Sequence, residues 1–268
     1  MACYIIAGST SNLATTVLLR LLLSQHAGQI YATHNTGNDI ASNVNYIDRE
    51  AGLRMARNKE LRCALWLAPT DDTVAVAEFA REVPTLVISS MSIAEHMTKG
   101  GDPAKLNPYQ TGKLAMFNVP GVYSIAPGFF IDDDLDDEEV ISAGLHGDTT
   151  RELTRPLGIP FLNAKFTYKK PPMSVTLKSK LASVIAAWVA NPTGGVIKPN
   201  TFTVLCTDGE YDRKDLRLMA LGDNVPVPIP DLYSALPHPI VDGVPIRIEH
   251  YDVGKAINHQ YFKKQKTE

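Results

Sequence analysis

The chain has 268 residues, 44% of them apolar, which suits one large domain or a domain with a small appendage. Its net charge of −3 offers no basic footprint for nucleic acid, so we expect no nucleic-acid partner. No apolar run approaches the roughly 20 residues that a membrane helix needs, and no targeting signal is visible, so we expect a cytoplasmic protein without a membrane partner. The three cysteines and seven histidines are scattered without metal-ligand spacing, so we expect no metal site.

Short apolar runs alternate with helical patterns through the first half of the chain. Strands are predicted at 3–7, 29–33, 44–47, 63–67 and 85–89, and helices at 14–23, 49–61 and 74–82. Strict alternation of strand and helix implies right-handed crossovers and a parallel sheet that is covered on both faces. The sequence therefore predicts an α/β fold with a Rossmann-type doubly wound parallel sheet.

The pattern changes in the second half. A further strand is predicted at 122–125, a long amphipathic helix at 176–189 and a late strand at 201–205, whereas the proline-rich stretch 225–240 is expected to be extended and irregular. We expect residues 1–268 to form a single domain whose sheet is built by residues 1 to about 130. A small C-terminal substrate lobe would come mainly from about 131–175 and 206–268.

The turn after the first predicted strand has the character of a phosphate-binding loop. Gly8 provides the tight turn of a dinucleotide-binding loop, while Ser11 and Ala14 stand where further glycines are usual. The amides and dipole at the start of the following helix favour a bound diphosphate. The expected contacts are Gly8, Thr10, Ser11, Asn12 and Leu13. The alternative is an ordinary turn whose polar residues cap the helix.

The ends of the second and third predicted strands bear on the choice of dinucleotide. His34 and Asn35 follow the second strand, where a carboxylate would favour NAD and a basic residue NADP. The choice stays open, with a lean to NADP because no carboxylate is present to repel a 2′-phosphate. Asp48 ends the third strand, where it either contacts the adenine edge or caps the next helix.

A Tyr-x-x-x-Lys spacing occurs at Tyr109 and Lys113, and residues four apart share one face of a helix. Asn107 is a good N-cap and Pro108 is preferred at the first helical position, so both side chains fall in the first two turns of a predicted helix. Ser90 ends a predicted central strand, at the sheet edge where catalytic groups gather. The same spacing at Tyr251 has an intervening glycine and no such context.

Four features in this order resemble the short-chain dehydrogenase/reductase superfamily: the Gly8 loop, Ser89-Ser90 at a strand end, Asn107-Pro108-Tyr109-x-x-x-Lys113 and Ala126-Pro127-Gly128-Phe129-Phe130. The resemblance is nearest to its extended and atypical branches, which include NAD-dependent epimerases and NmrA-like proteins. It implies that Tyr109 is a general acid/base, that Lys113 binds the nicotinamide ribose and lowers the Tyr109 pKa, and that Ser90 holds the substrate oxygen. It also implies that Pro127 borders the cofactor.

The resemblance implies an NAD(P)-dependent oxidoreductase that acts on a hydroxyl or carbonyl group of a small molecule. Ser11, Ala14 and Ala126 depart from the family pattern, because the first two replace glycines and Ala126 stands where arginine is usual before Pro-Gly. Such departures are expected in members that bind the cofactor without turnover. The alternative is therefore a cofactor-sensing regulatory protein of the NmrA-like type. The sequence leaves the oligomeric state open.

Overall fold

The computed structural model describes residues 2–6, 17, 21, 29–33, 44–67, 72–89, 93, 102–106, 108–117, 119–127, 129–131, 173–195, 197–199, 202–206, 210–211, 240–241, 244–245 and 247–251. The helices with described bounds are α1 Arg49–Arg57, α2 Thr73–Glu82, α3 Pro108–Phe117 and α4 Lys178–Ala190. The strands are β1 Ala2–Ile6, β2 Ile30–Ala32, β3 Asn45–Tyr46, β4 Leu61–Trp66, β5 Thr85–Ile88, β6 Val122–Pro127, β7 Phe129–Ile131, β8 Met173–Leu177, β9 Phe202–Cys206, β10 Glu210–Tyr211, β11 Ile240–Val241, β12 Val244–Pro245 and β13 Arg247–Tyr251.

Eight of these strands form the main sheet in the order β13-β9-β6-β5-β4-β1-β2-β3. All neighbouring strands from β3 to β9 pair in parallel, and β13 pairs antiparallel with β9 at the edge. From β1, the strands β2 and β3 follow one another toward one edge of the sheet, and β4, β5 and β6 follow one another toward the other edge. The direction of strand addition therefore reverses between β1 and β4. The predicted doubly wound parallel sheet is confirmed.

Buried side chains cover both faces of the sheet. On one face, Tyr4 of β1, Val87 of β5 and Val122 of β6 join a cluster with residues of α1 and α2 and with Met116 of α3. Tyr123 follows Val122 and therefore lies on the opposite face, where its ring packs against Trp188 of α4 at a centroid distance of 5.4 Å. Helices α1 to α3 thus cover one face, and α4 covers the other.

At two glycine positions, neighbouring groups lie too close to admit a side chain. A Cβ atom at Gly52 of α1 would overlap the phenol ring of Tyr4, which lies directly beneath the helix. Gly121 precedes β6 with a φ of +82°, and a Cβ atom there would overlap the backbone carbonyl oxygen of Ala80. The absence of a side chain therefore lets α1 approach β1 at Gly52, and lets the segment before β6 approach α2 at Gly121.

Several predicted bounds differ from the structure. The helix expected over 49–61 ends at Arg57, because Lys59 adopts a left-handed φ of 60° and Leu61 begins β4. The helix expected from residue 176 begins at Lys178, because Thr176 pairs with Phe130 in β8. The prediction that residues 1 to about 130 build the whole sheet is wrong, since β9 and β13 extend it.

Two smaller sheets stand beside the main one. The first has the strand order β10-β8-β7, and the second pairs β11 with β12. These strands come mostly from the segments expected to form a substrate lobe, although β13, from the same C-terminal segment, belongs to the main sheet. Residues 132–172 and 212–239 lie outside the described residues, so the lobe remains a prediction. In the described part of the chain, no helix is long and apolar enough to cross a membrane.

Candidate active site at the carboxyl edge of the sheet

The carboxyl ends of the parallel strands meet at one edge of the main sheet. In open α/β sheets, ligands bind outside this edge at the point where the strand order reverses, which here lies between β1 and β4. The expected site residues follow these ends: Gly8 follows β1, His34 follows β2, Asp48 follows β3, Ser90 follows β5 and Pro127 ends β6. The topology therefore brings the predicted segments to a common edge.

Part of the predicted site lies outside the described residues. This applies to Asn107 and to the site residues Gly8, Thr10, Ser11, Asn12, Leu13, His34, Asn35 and Ser90. For Tyr109 the structure gives only its position in the first turn of α3. The roles expected for these residues therefore remain predictions. The residues described below are those whose surroundings are known.

Asp48 is the N-cap of α1, which confirms one of its two expected roles. Its Oδ1 atom accepts a hydrogen bond from the backbone N–H of Ala51 at 2.6 Å. The side chain is exposed, so the cap leaves carboxylate surface open to a ligand. Contact between Asp48 and an adenine ring remains a prediction.

Tyr4 of β1 interacts with Thr33, which follows β2, and with Asp48, which follows β3. It was not identified from the sequence. The ring is fully buried and stacks on Phe79 at a centroid distance of 5.3 Å. Burial raises the pKa of the Tyr4 phenol above its usual range, while a side-chain hydrogen bond with Thr33 opposes that rise. The protonated phenol donates to the backbone oxygen of Asp48 at 3.3 Å. A tyrosine inside an otherwise apolar strand was the available signal.

Lys113 is the buried cation of the site. Helix α3 begins at Pro108 as predicted, and it turns Lys113, Leu114 and Met116 inward while Ala115 is exposed. The Lys113 side chain is 2% exposed, and burial lowers the pKa of its ammonium from 10.5 to about 8. Lysine is rarely buried to this extent in a purely structural role, because its charged form loses hydration.

The helix also relates Lys113 to Tyr109. Residues four apart lie on one face of a helix, with the earlier residue one turn nearer its start. Tyr109 lies in the first turn of α3, and Lys113 lies one turn later. The competing Tyr251 differs, since it ends strand β13 in register with Phe202. The helical context that the chemistry requires is thus present at the first pair and absent at Tyr251.

The end of β5 contributes a buried hydroxyl group. The backbone N–H of Ser89 donates to the carbonyl oxygen of Ile125 at 2.8 Å, so the pairing of β5 with β6 continues to Ser89. The Ser89 side chain is 6% exposed, and its Oγ atom has no hydrogen-bond partner among the described residues. Pro127 is buried at the end of β6, in register with Leu205. Ser89, adjacent to Ser90, was not selected from the sequence.

Several solved structures share this fold. UDP-glucose 4-epimerase from Bifidobacterium longum, in complex with NAD+ and UDP, superposes with a TM-score of 0.55 and 13% identity over 85% of each chain. UDP-glucose 4-epimerase from Stenotrophomonas maltophila, with bound NAD and formylated UDP-arabinopyranose, superposes with a TM-score of 0.54. Its sequence identity is 12%, and the match covers 85% of this chain and 84% of that chain. The reductase domain of the aureusimine biosynthetic cluster superposes with a TM-score of 0.53 and 12% sequence identity, over 81% of this chain and 70% of that chain.

No protein-family model and no curated protein matches the sequence. At the identities of the structural matches, the likeness establishes a shared fold. That fold is the one found in these two epimerases and in this reductase domain, so the resemblance seen in the sequence is confirmed at the level of fold. Among the described residues, no group of three or more His, Cys, Asp or Glu side chains could hold a metal ion.

Proposed function

We propose that the chain is an NAD(P)-dependent oxidoreductase that acts on a hydroxyl or carbonyl group of a small molecule. The observation that carries this proposal is Lys113, a nearly inaccessible cation one turn after Tyr109 on a helix whose start lies at the carboxyl edge. A charge held there at the expense of hydration favours a functional role over a structural one. The solved structures of the same fold with bound NAD support a nicotinamide dinucleotide as cofactor.

The residues present fit such a cofactor. Gly8, Thr10, Ser11, Asn12 and Leu13 follow the end of β1 and would hold the diphosphate at the start of the helix predicted over 14–23. The adenine would lie beside Asp48, whose carboxylate is exposed. His34 and Asn35 would border the adenosine ribose, and Pro127 would lie toward the nicotinamide end. When bound, the cofactor supplies or accepts the hydride.

In this proposal the protein moves the proton and holds the substrate. The Tyr109 hydroxyl donates a proton to a carbonyl oxygen, or accepts one from an alcohol, and Ser90 hydrogen-bonds the same oxygen. A free phenol titrates near about 10, which is too high for efficient proton transfer at neutral pH. The Lys113 ammonium favours the phenolate of Tyr109 and so lowers its pKa.

Neither the preferred dinucleotide nor the substrate follows from the fold alone. The absence of a carboxylate at His34 and Asn35 keeps NADP acceptable, while NAD is the dinucleotide bound in the epimerase structures of similar fold. Because those structures contain UDP or a UDP-pentose, nucleotide sugars are the first substrates to test. Simple alcohols, aldehydes and ketones form the second group.

The experiment that tests the proposal is turnover by the Tyr109→Phe variant, followed by the absorbance of the reduced nicotinamide. Loss of one general acid/base should lower turnover by about 10²- to 10⁴-fold while folding and dinucleotide affinity are retained. Tyr251→Phe is the matched control, since Tyr251 ends a strand and has no expected role. Equal activity of Tyr109→Phe and wild-type protein on an accepted substrate would exclude the proposed chemistry.

A second candidate is a dinucleotide-binding sensor with weak or no catalysis. It is favoured by Ala126, a buried strand residue with no basic side chain where arginine is usual in the family. A sensor would bind NAD or NADP tightly, would transfer no hydride on a broad substrate panel, and would tolerate Tyr109→Phe without change. Measured turnover on any panel member that depends on Tyr109 would exclude it.

A further inference from the structure

The hydroxyl group of Ser89 lies on the same side of the sheet as the buried Lys113. Side chains alternate along a strand, so Ser89 lies on the Val87 face of β5, the face covered by α3. Ser89 stands about 6–7 Å beyond Val87 toward the carboxyl edge. Lys113 stands about 4.5 Å before Met116, toward the same edge, because α3 runs opposite to the strands that it connects.

Three buried side-chain polar atoms lack a hydrogen-bond partner among the described residues; two lie on this face of the sheet, and the third, Trp188 Nε1, lies on the opposite face. Ser89 Oγ and Trp66 Nε1 are both buried and lack a hydrogen-bond partner among the described residues. Trp66 ends β4 in register with Val87 of β5, so the two atoms belong to neighbouring strands and to the same face. A buried hydroxyl without a partner is unfavourable in the free protein, and native structures retain few of them.

We propose that the Ser89 hydroxyl is a ligand-binding group that hydrogen-bonds the nicotinamide nucleoside half of the bound dinucleotide. This inference rests on the proposed function, because it needs a dinucleotide at the carboxyl edge. The strand order assigns the halves: the diphosphate lies over β1, the adenosine lies toward β2 and β3, and the nicotinamide end therefore reaches β4 and β5. The carboxamide and ribose hydroxyls of that end would supply the hydrogen-bond partner that the Ser89 hydroxyl does not find among the described residues.

The Ser89→Ala variant distinguishes ligand binding from a structural role, because removing a ligand-binding hydroxyl lowers dinucleotide affinity but does not lower the stability of the free protein. Without ligand, its thermal unfolding midpoint should equal or exceed that of the wild type, because the substitution removes a hydroxyl that has no hydrogen-bond partner in the described part of the chain. The dissociation constants for NAD+ and NADP+, measured by calorimetry, should rise about 3- to 10-fold, the effect of one lost hydrogen bond. The affinity for ADP, which lacks the nicotinamide nucleoside, should stay unchanged.

Ser183→Ala is the matched control, since Ser183 is equally buried but lies on α4, across the sheet. It should leave all three dissociation constants unchanged. A Ser89→Ala variant that binds NAD+ and NADP+ as the wild type does, that fails to fold, or that loses ADP affinity equally would overturn the inference. If wild-type protein binds neither dinucleotide, the proposed function itself fails, and the inference with it.

Discussion

Replacing Lys113 with methionine should stabilise the protein and impair its function. Methionine keeps an unbranched apolar chain in the same space but removes the ammonium of Lys113, a residue that is 2% exposed. The fall in the Lys113 pKa from 10.5 to about 8 corresponds to about 3 kcal/mol of unfavourable desolvation at neutral pH. Lys113 also has an interaction within the protein that the substitution removes, so we expect a net gain of about 1–3 kcal/mol.

The gain should depend on pH in a defined direction. In the unfolded chain the Lys113 pKa returns to about 10.5, whereas in the folded protein it is about 8. Between these values the unfolded state binds more protons, so the wild-type free energy of unfolding rises with pH across this window. The advantage of Lys113→Met should therefore be greatest below pH 8 and should disappear as the pH approaches 10.5.

Urea unfolding of both proteins at pH 7 and at pH 9.5 measures this difference directly. Lys105→Met is the control, because Lys105 is exposed and its removal should change stability little at either pH. The variant should also bind the dinucleotide more weakly, since the proposed contact of Lys113 with the nicotinamide ribose would be lost. A Lys113→Met protein that is less stable than the wild type at pH 7, or equally altered at both pH values, would refute the desolvation argument.

Substitutions at three further positions test the fold. Asp48→Ala should lower the free energy of unfolding by about 1 kcal/mol through loss of the α1 cap, whereas Asp48→Asn should keep the cap, and urea titrations compare them. Tyr4→Phe should cost about 1 kcal/mol by the same measurement, because its buried phenol bonds Asp48 and Thr33. Gly121→Ala should lower the unfolding midpoint in a thermal melt, because of its positive φ and the Ala80 carbonyl, and an unchanged midpoint would contradict that packing.

The architecture could be predicted from the sequence because it follows from local patterns. Buried parallel strands contain short continuous apolar runs, as at residues 63–66 and 86–88, and such runs separated by helical patterns admit few topologies. The edge strand Arg247–Tyr251 was missed because Glu249 and His250 interrupt its apolar character, and its place is set by pairing with β9, far away in sequence. Long-range pairing of this kind leaves little local signal.

The candidate site likewise combines features that the local sequence predicts with features that depend on tertiary packing. The helix start at Pro108 and the spacing of Tyr109 and Lys113 are local features, and the sequence contained them. The burial of Lys113 depends on the packing of α3 against β6 and α2, which no local pattern reports. The contact of Tyr4 with the backbone of Asp48 joins residues 44 positions apart, and the unpartnered hydroxyl of Ser89 is defined only by its surroundings.

The measurement that tests the central claim most directly is a calorimetric titration of the wild-type protein with NAD+ and with NADP+. The account predicts saturable binding of at least one of them with one site per chain. It also predicts weaker binding by Lys113→Met, which removes the buried cation without removing the fold. Absence of binding by folded wild-type protein with both dinucleotides would contradict the account, whatever the activity of the protein on other ligands.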